Sequence, residues 1–95
     1  MVTLRIQHAV VDFDLWQDAF DRFAGVRAGA GVRGHTVRQP LDDDHVIVLD
    51  LEFGTQAEAE RFRDFLVDEV WTSAASAPAL VGTPRTTLLH TVDSR

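Results

Sequence analysis

The chain has 95 residues, 15 of them acidic against 9 basic, a net charge of −6 and no cysteine, which bounds it to one domain with a single core. No stripe of Lys or Arg offers a footprint for nucleic acid or an anionic membrane, and the lack of thiols removes disulfides, thiolate nucleophiles and cysteine-based zinc sites together. No segment approaches the twenty apolar residues of a membrane span, and Arg5, Gln7 and His8 interrupt what would have to be a signal's apolar run, so the expected compartment is the cytoplasm.

Residues 2–10 alternate Leu4, Ile6, His8 and Val10 against Thr3, Arg5, Gln7 and Ala9, the period of a strand with one apolar face. Asp12 or Asp14 then offers an N-cap to a helix that ends near Gly25. In it Phe13, Trp16, Phe20 and Phe23 recur three or four apart, and aromatics at that spacing read as core rather than as a cofactor cradle. The glycines at 25, 29 and 31 mark a loop. They lack the preceding strand and following helix of a phosphate-cradling motif and are assigned no chemistry.

Residues 32–40 read as a second strand, LDDD as a turn, and residues 45–53 as a third strand. The third strand is apolar on one and a half faces, with Ile47, Leu49, Leu51 and Phe53 on one side and Val46 and Val48 beside Asp50 and Glu52 on the other. With the turn centred on Asp42 and Asp43, the hairpin sets Val37 opposite Val48, His35 opposite Asp50 and Arg33 opposite Glu52. The other face then pairs Thr36 with Leu49, Gly34 with Leu51 and Val32 with Phe53.

Thr55 and Glu58 form a capping box for a second helix, whose apolar stripe of Ala59, Phe62, Leu66 and Val70 is broadened by Phe65 and ends near Trp71 or Thr72. Residues 73–80, SAASAPAL, read as a connector with a helical turn from Ser76, Pro78 in its first turn and Leu80 packing inward. The last strand is expected from about Arg85 to Val92, with Leu88, His90 and Val92 opposite in sense to Thr87, Leu89 and Thr91.

The order βαββαβ predicts an α+β, ferredoxin-like domain over residues 1–95: a four-stranded antiparallel sheet with two helices on one face. The other face carries Val37, Val46, Val48 and Leu89 beside Arg5, Gln7, Arg33, His35, Asp50 and Glu52, and nothing in the chain is left to cover it. An isologous pairing with a second copy is the simplest cover. A homodimer is therefore expected, with Val37, Val46, Val48, His35, Asp50 and Leu89 at the interface and the His35–Asp50 pair setting its register.

The pattern of RIQH, DFDLWQDAF at residues 12–20 and GVRGHTVRQPLDDDHVIVLDLEFGTQAEAERF at residues 31–62 resembles the small dimeric α/β-barrel proteins, specifically antibiotic-biosynthesis monooxygenases and small polyketide cyclases. The resemblance spans nearly the whole chain. It implies a ligand site between helices and sheet for an apolar, aromatic or polyketide-like molecule, with oxygenation or cyclisation as the chemistry. It points to His8 as the proton-handling group and to Thr36, Phe53, Trp71 and His90 as ligand contacts.

His8 falls roughly where haem-degrading members of the family carry Asn, and Phe53 where they carry Trp. The second helix, residues 55–72, holds no His to bind haem iron, and the chain has no tyrosine of the kind proposed at the site of the oxygenases. No cofactor is expected. Asp42, Asp43, Asp44 and His45 read as a solvated turn whose consecutive residues do not converge on one ion, so no metal is expected either. The alternative to an enzyme is a non-catalytic homodimeric binding module with structural histidines, and Trp71 either closes a pocket or caps the core.

Overall fold

Along Val2–Val10 (β1), Leu4, Ile6, His8 and Val10 are buried while Arg5 and Gln7 are exposed, as alternation requires. The computed structural model describes residues 1–73 and 77–93. β1 lies inside a four-stranded sheet of order β2-β3-β1-β4, with β2 at Val32–Arg38, β3 at Val46–Phe53 and β4 at Leu80–His90, every neighbouring pair antiparallel. Between β1 and β2 come α1 (Phe13–Arg22) and the short α2 (Ala24–Gly29). Between β3 and β4 comes α3 (Gln56–Phe65), which continues into a π-helical turn at Leu66–Val70. The core forms on one face, where Leu4, Ile6, Ile47, Leu49, Leu51 and Phe53 pack against Trp16, Ala59 and Phe62. This is the ferredoxin-like βαββαβ arrangement.

Local chemistry explains the helix ends. Asp12, not Asp14, caps α1, its carboxylate accepting the Leu15 N–H at 3.0 Å. Thr55 caps α3, accepting the Glu58 N–H at 3.2 Å and donating its hydroxyl to Glu58 Oε1 at 3.1 Å. The stretch expected to be a loop from Gly25 is instead helical through Gly29, carried by the Arg27 N–H to Phe23 O and the Ala30 N–H to Val26 O, both 3.0 Å. It stops at Gly31, whose φ of +94° suits glycine and where a Cβ would collide with the Glu58 carboxylate.

The hairpin departs from the expected register. Val32 faces Phe53 as expected, but a bulge at Arg33 then shifts the pairing, so that Gly34 faces Glu52, His35 faces Leu51, Thr36 faces Asp50, Val37 faces Leu49 and Arg38 faces Val48. One extra residue turns the remainder of β2 over, because side chains alternate with a period of two. The inverted strand packs Val37 against the core and brings Arg38 within 3.1 Å of Asp50. His35 and Val37 therefore leave the open face, and Thr36 joins it. β4 also starts earlier than expected. It begins at Leu80 and runs through Gly82 (φ +72°) and Pro84, which an edge strand accommodates. The helical turn expected from Ser76 lies outside the described residues at its start, while Leu80 donates its N–H to Ala77 O at 3.3 Å.

The open face centres on Asp50, which accepts from Arg5 Nε at 2.8 Å, Arg5 Nη2 at 2.9 Å and Arg38 Nη1 at 3.1 Å. The hydrogen bond from Arg5 is the main reason its carboxyl is held below the ordinary carboxylate range, against the opposing effect of burial. Beside it the Thr3 hydroxyl donates to the Glu52 carboxylate at 2.7 Å. Val46 and Val48 stand next to these groups opposite Ala9 and Gln7, and Leu89 opposite Thr3. No helix among the described residues is long and apolar enough to cross a membrane.

Candidate functional site

Between the helices and the sheet lies an apolar cavity of about 90 Å³, several times what one water needs. Ile6, Leu49 and Leu51 form its floor, Trp16 and Phe20 its α1 wall, and Phe62 and Phe65 its α3 wall. Leu66, Val70 and Trp71 close it from the π-helical turn, where the Trp71 N–H reaches back five residues to Leu66 O at 2.8 Å. The extra residue of such a turn rotates the succeeding side chains relative to an ordinary α-helix. Trp71, just past this turn, thus joins Phe62, Leu66 and Val70 of the apolar stripe in lining the cavity.

Trp16 and Phe20 stack at 4.9 Å with 17° between their planes, and both face the cavity. On the other side of the cavity, the Phe53 ring of β3 and the Phe62 and Phe65 rings of α3 pack in succession at 5.9 Å each.

His8 is the cavity's polar floor residue. It is 8% exposed, and its ring centroid lies 6.2 Å from that of Trp16. Its Nδ1 is 3.3 Å from Ala9 O. With the proton assigned to Nδ1, which makes that contact a hydrogen bond, Nε2 presents a lone pair. Nε2 has no hydrogen-bond partner among the described residues and is not wholly shut off from water. Burial depresses the imidazole pKa, with the Ala9 carbonyl partly opposing that effect, so the ring is neutral at pH 7. A neutral, buried imidazole with a free Nε2 is equipped to accept a proton.

Arg27, which composition and periodicity did not single out, also lines the cavity and is 8% exposed. Its Cζ lies 3.6 Å from the centroid of the Phe20 ring, and its Nη1 donates to Phe20 O. The sequence signal that could have found it is a lone cation between small residues, AGVRAG, one helical turn after Phe23.

The remaining expected contacts do not gather here. Thr36 lies on the open face opposite Asp50, because of the β2 bulge. Phe53 is fully buried under Phe62 and does not reach the cavity. His90 is exposed and opposite Val2, six residues along β1 from His8 or about 20 Å at strand spacing. His35 packs edge-on against Phe20 at 5.0 Å, so the partners of Asp50 are Arg5 and Arg38 instead. Val46, Val48, Asp50 and Leu89 lie on the open face.

Contrary to expectation, Asp43, Asp44 and His45 do bring one potential ligand atom each within 4.8 Å of one another, all exposed. Both carboxylates are already engaged locally, Asp43 by the His45 N–H and Asp44 by His45 Nδ1, each at 2.9 Å.

No family model and no curated protein matches the chain. Solved structures do. SnoaB, a cofactor-independent oxygenase from Streptomyces nogalater, is 22% identical, with 98% of this chain and 94% of that one covered and a TM-score of 0.73. A dimeric ferredoxin-like protein from an uncultured marine organism is 14% identical over 99% of this chain and 97% of its own, with a TM-score of 0.71. A monooxygenase from the gene ActVA-Orf6 of Streptomyces coelicolor, crystallised with Nanaomycin D, is 16% identical over 99% and 89%, with a TM-score of 0.66. At these identities the likeness is one of architecture, and the chain has the ferredoxin-like fold that these proteins share.

Proposed function

We propose that the chain is a homodimeric pocket protein that binds an aromatic or polyketide-like molecule between helices and sheet, with His8 Nε2 accepting a proton from it. The observation that carries this is His8: a neutral imidazole on the wall of an apolar cavity, with Nδ1 against Ala9 O and Nε2 uncommitted. Stacked Trp16 and Phe20 suit a flat ligand. Loss of a proton from a phenol or an activated methylene leaves an electron-rich anion. That anion is the shared first intermediate of a cofactor-free oxygenation, in which it reduces O₂, and of a cyclisation, in which it attacks a carbonyl. The architectural likeness to SnoaB and to the monooxygenase crystallised with Nanaomycin D supports oxygenation as the outcome. Trp71 closes the ligand in, and Val46, Val48, Asp50 and Leu89 meet their counterparts across a two-fold axis, in keeping with the dimeric protein of the same fold.

The test is a thermal-shift screen with hydroxylated polycyclic aromatics on wild type and His8→Gln, followed by O₂-uptake and product assays with every ligand that binds. A raised melting temperature in both proteins, with turnover falling about 100-fold or more in His8→Gln, is the expected result. Binding without turnover in wild type would favour the non-catalytic module. No shift with any member of a broad set would retire the pocket itself.

A further inference from the structure

Three charged or polar residues are buried among the described residues: His8, Arg27 and Asp50. Asp50 is neutralised by two arginines, and His8 is held neutral. Arg27 has no such resolution, for no carboxylate comes within ion-pairing distance of it among the described residues. Its contacts are the Phe20 carbonyl and the face of the Phe20 ring. These orient a guanidinium without supplying negative charge. Of its five N–H donors, the single hydrogen bond to Phe20 O occupies one, and no nitrogen is both sealed off and unpartnered. A guanidinium largely buried among apolar groups keeps water only at its unpartnered nitrogens, and an apolar residue of similar volume would serve a purely structural role better. Burial accordingly pushes the Arg27 pKa down, with Asp21 partly opposing it from beyond contact distance.

We propose that Arg27 makes this cavity selective for aromatic carboxylates and related anionic aromatics, its guanidinium receiving the anionic group of the ligand. The inference rests on the pocket reading and goes further by naming the ligand's charge and orientation. Neighbouring groups run in order from His8 to Trp16 at 6.2 Å, Trp16 to Phe20 at 4.9 Å and Phe20 to the Arg27 Cζ at 3.6 Å. Base and cation thus bracket the aromatic stack. A flat ligand lying along it places its anionic group on the guanidinium, which matches a carboxylate through two parallel N–H donors. Its other end then faces His8.

The test pairs 2-naphthoate with its near-isosteric neutral analogue 2-naphthamide on the full chain, with affinities measured by calorimetry at pH 7.5 for wild type, Arg27→Gln, Arg27→Met and Arg27→Lys. Wild type should bind the carboxylate about 10- to 100-fold more tightly than the amide. In Arg27→Gln and Arg27→Met the ratio should collapse towards one, and Arg27→Lys should keep part of the preference. In wild type the Arg27 Nε–H resonance should move on adding naphthoate and not naphthamide, a readout that stands whether or not the variants fold. Equal affinities, or a preference that survives in Arg27→Gln, would overturn the role of Arg27 while leaving the pocket in place. Failure of wild type to bind either compound would overturn both.

Discussion

Acidification should destabilise this protein through His8, by an amount that has a calculable ceiling. Burial holds the folded imidazole below the ordinary histidine range, whereas the unfolded chain takes up the proton near pH 6.5. Between that value and the lower folded one the unfolded state binds more protons, so stability falls as pH falls. From pH 7.5 to 5.5 the largest loss a single such group can cause is about 1.4 kcal/mol, reached if the folded ring stays neutral throughout. In a domain of 95 residues that corresponds to about 6–11 °C in melting temperature. Urea unfolding of wild type and His8→Gln at a fixed protein concentration, at steps across this range, isolates the effect, because His35, His45 and His90 are present in both. Wild type should lose stability relative to His8→Gln as the pH drops. Parallel curves would show that the imidazole is not held neutral by its surroundings. A relative gain for wild type on acidification would show that it is held protonated, and the assignment of Nε2 as a base would fall.

Asp50→Asn removes the charge that Arg5 and Arg38 share, but those side chains are 44% and 60% exposed and regain water. The expected loss by chemical denaturation is therefore about 1–2 kcal/mol rather than the full cost of a broken buried pair. Because the Asp50 carboxyl is held low when folded, its contribution is present above the unfolded carboxylate pKa and vanishes as pH falls through the folded value, so wild type and variant should converge in strong acid. Phe53→Ala empties a fully buried site beside Phe62 and should cost about 3–5 kcal/mol; a loss under 1 kcal/mol in urea would contradict its place at the centre of the core. Val48→Asp puts a charge on the open face and should turn the proposed dimer into a folded monomer by light scattering and circular dichroism. An unchanged dimer would move the interface elsewhere.

Wherever burial alternates over a long uninterrupted run, the amino-acid order alone was enough. β1 and β3 declare their apolar faces residue by residue, Thr55 marks where α3 begins through a bond made within three residues, and the start of α1 is narrowed to Asp12 or Asp14, of which the structure uses Asp12. These signals suffice for the βαββαβ order and for the position of His8 under the helices. Two decisions needed the folded molecule. The first was the face of β2, where the single-residue bulge at Arg33 exchanges Thr36 for His35 and Val37. A strand of mixed Val, His, Thr and Arg carries too weak an alternation to reveal one inserted residue, and the choice falls to distant partners, the core around Leu49 and Leu51 and the carboxylate of Asp50. The second was the cavity's charge. Arg27 stands in a glycine-rich stretch that looks like a solvated loop, and it becomes a buried cation only because α2 folds back over Phe20. Local periodicity encodes which side of an element is apolar. Whether a polar group within it meets water, a counter-charge or an empty pocket is set by residues far along the chain, and so appears only when the tertiary structure brings them together.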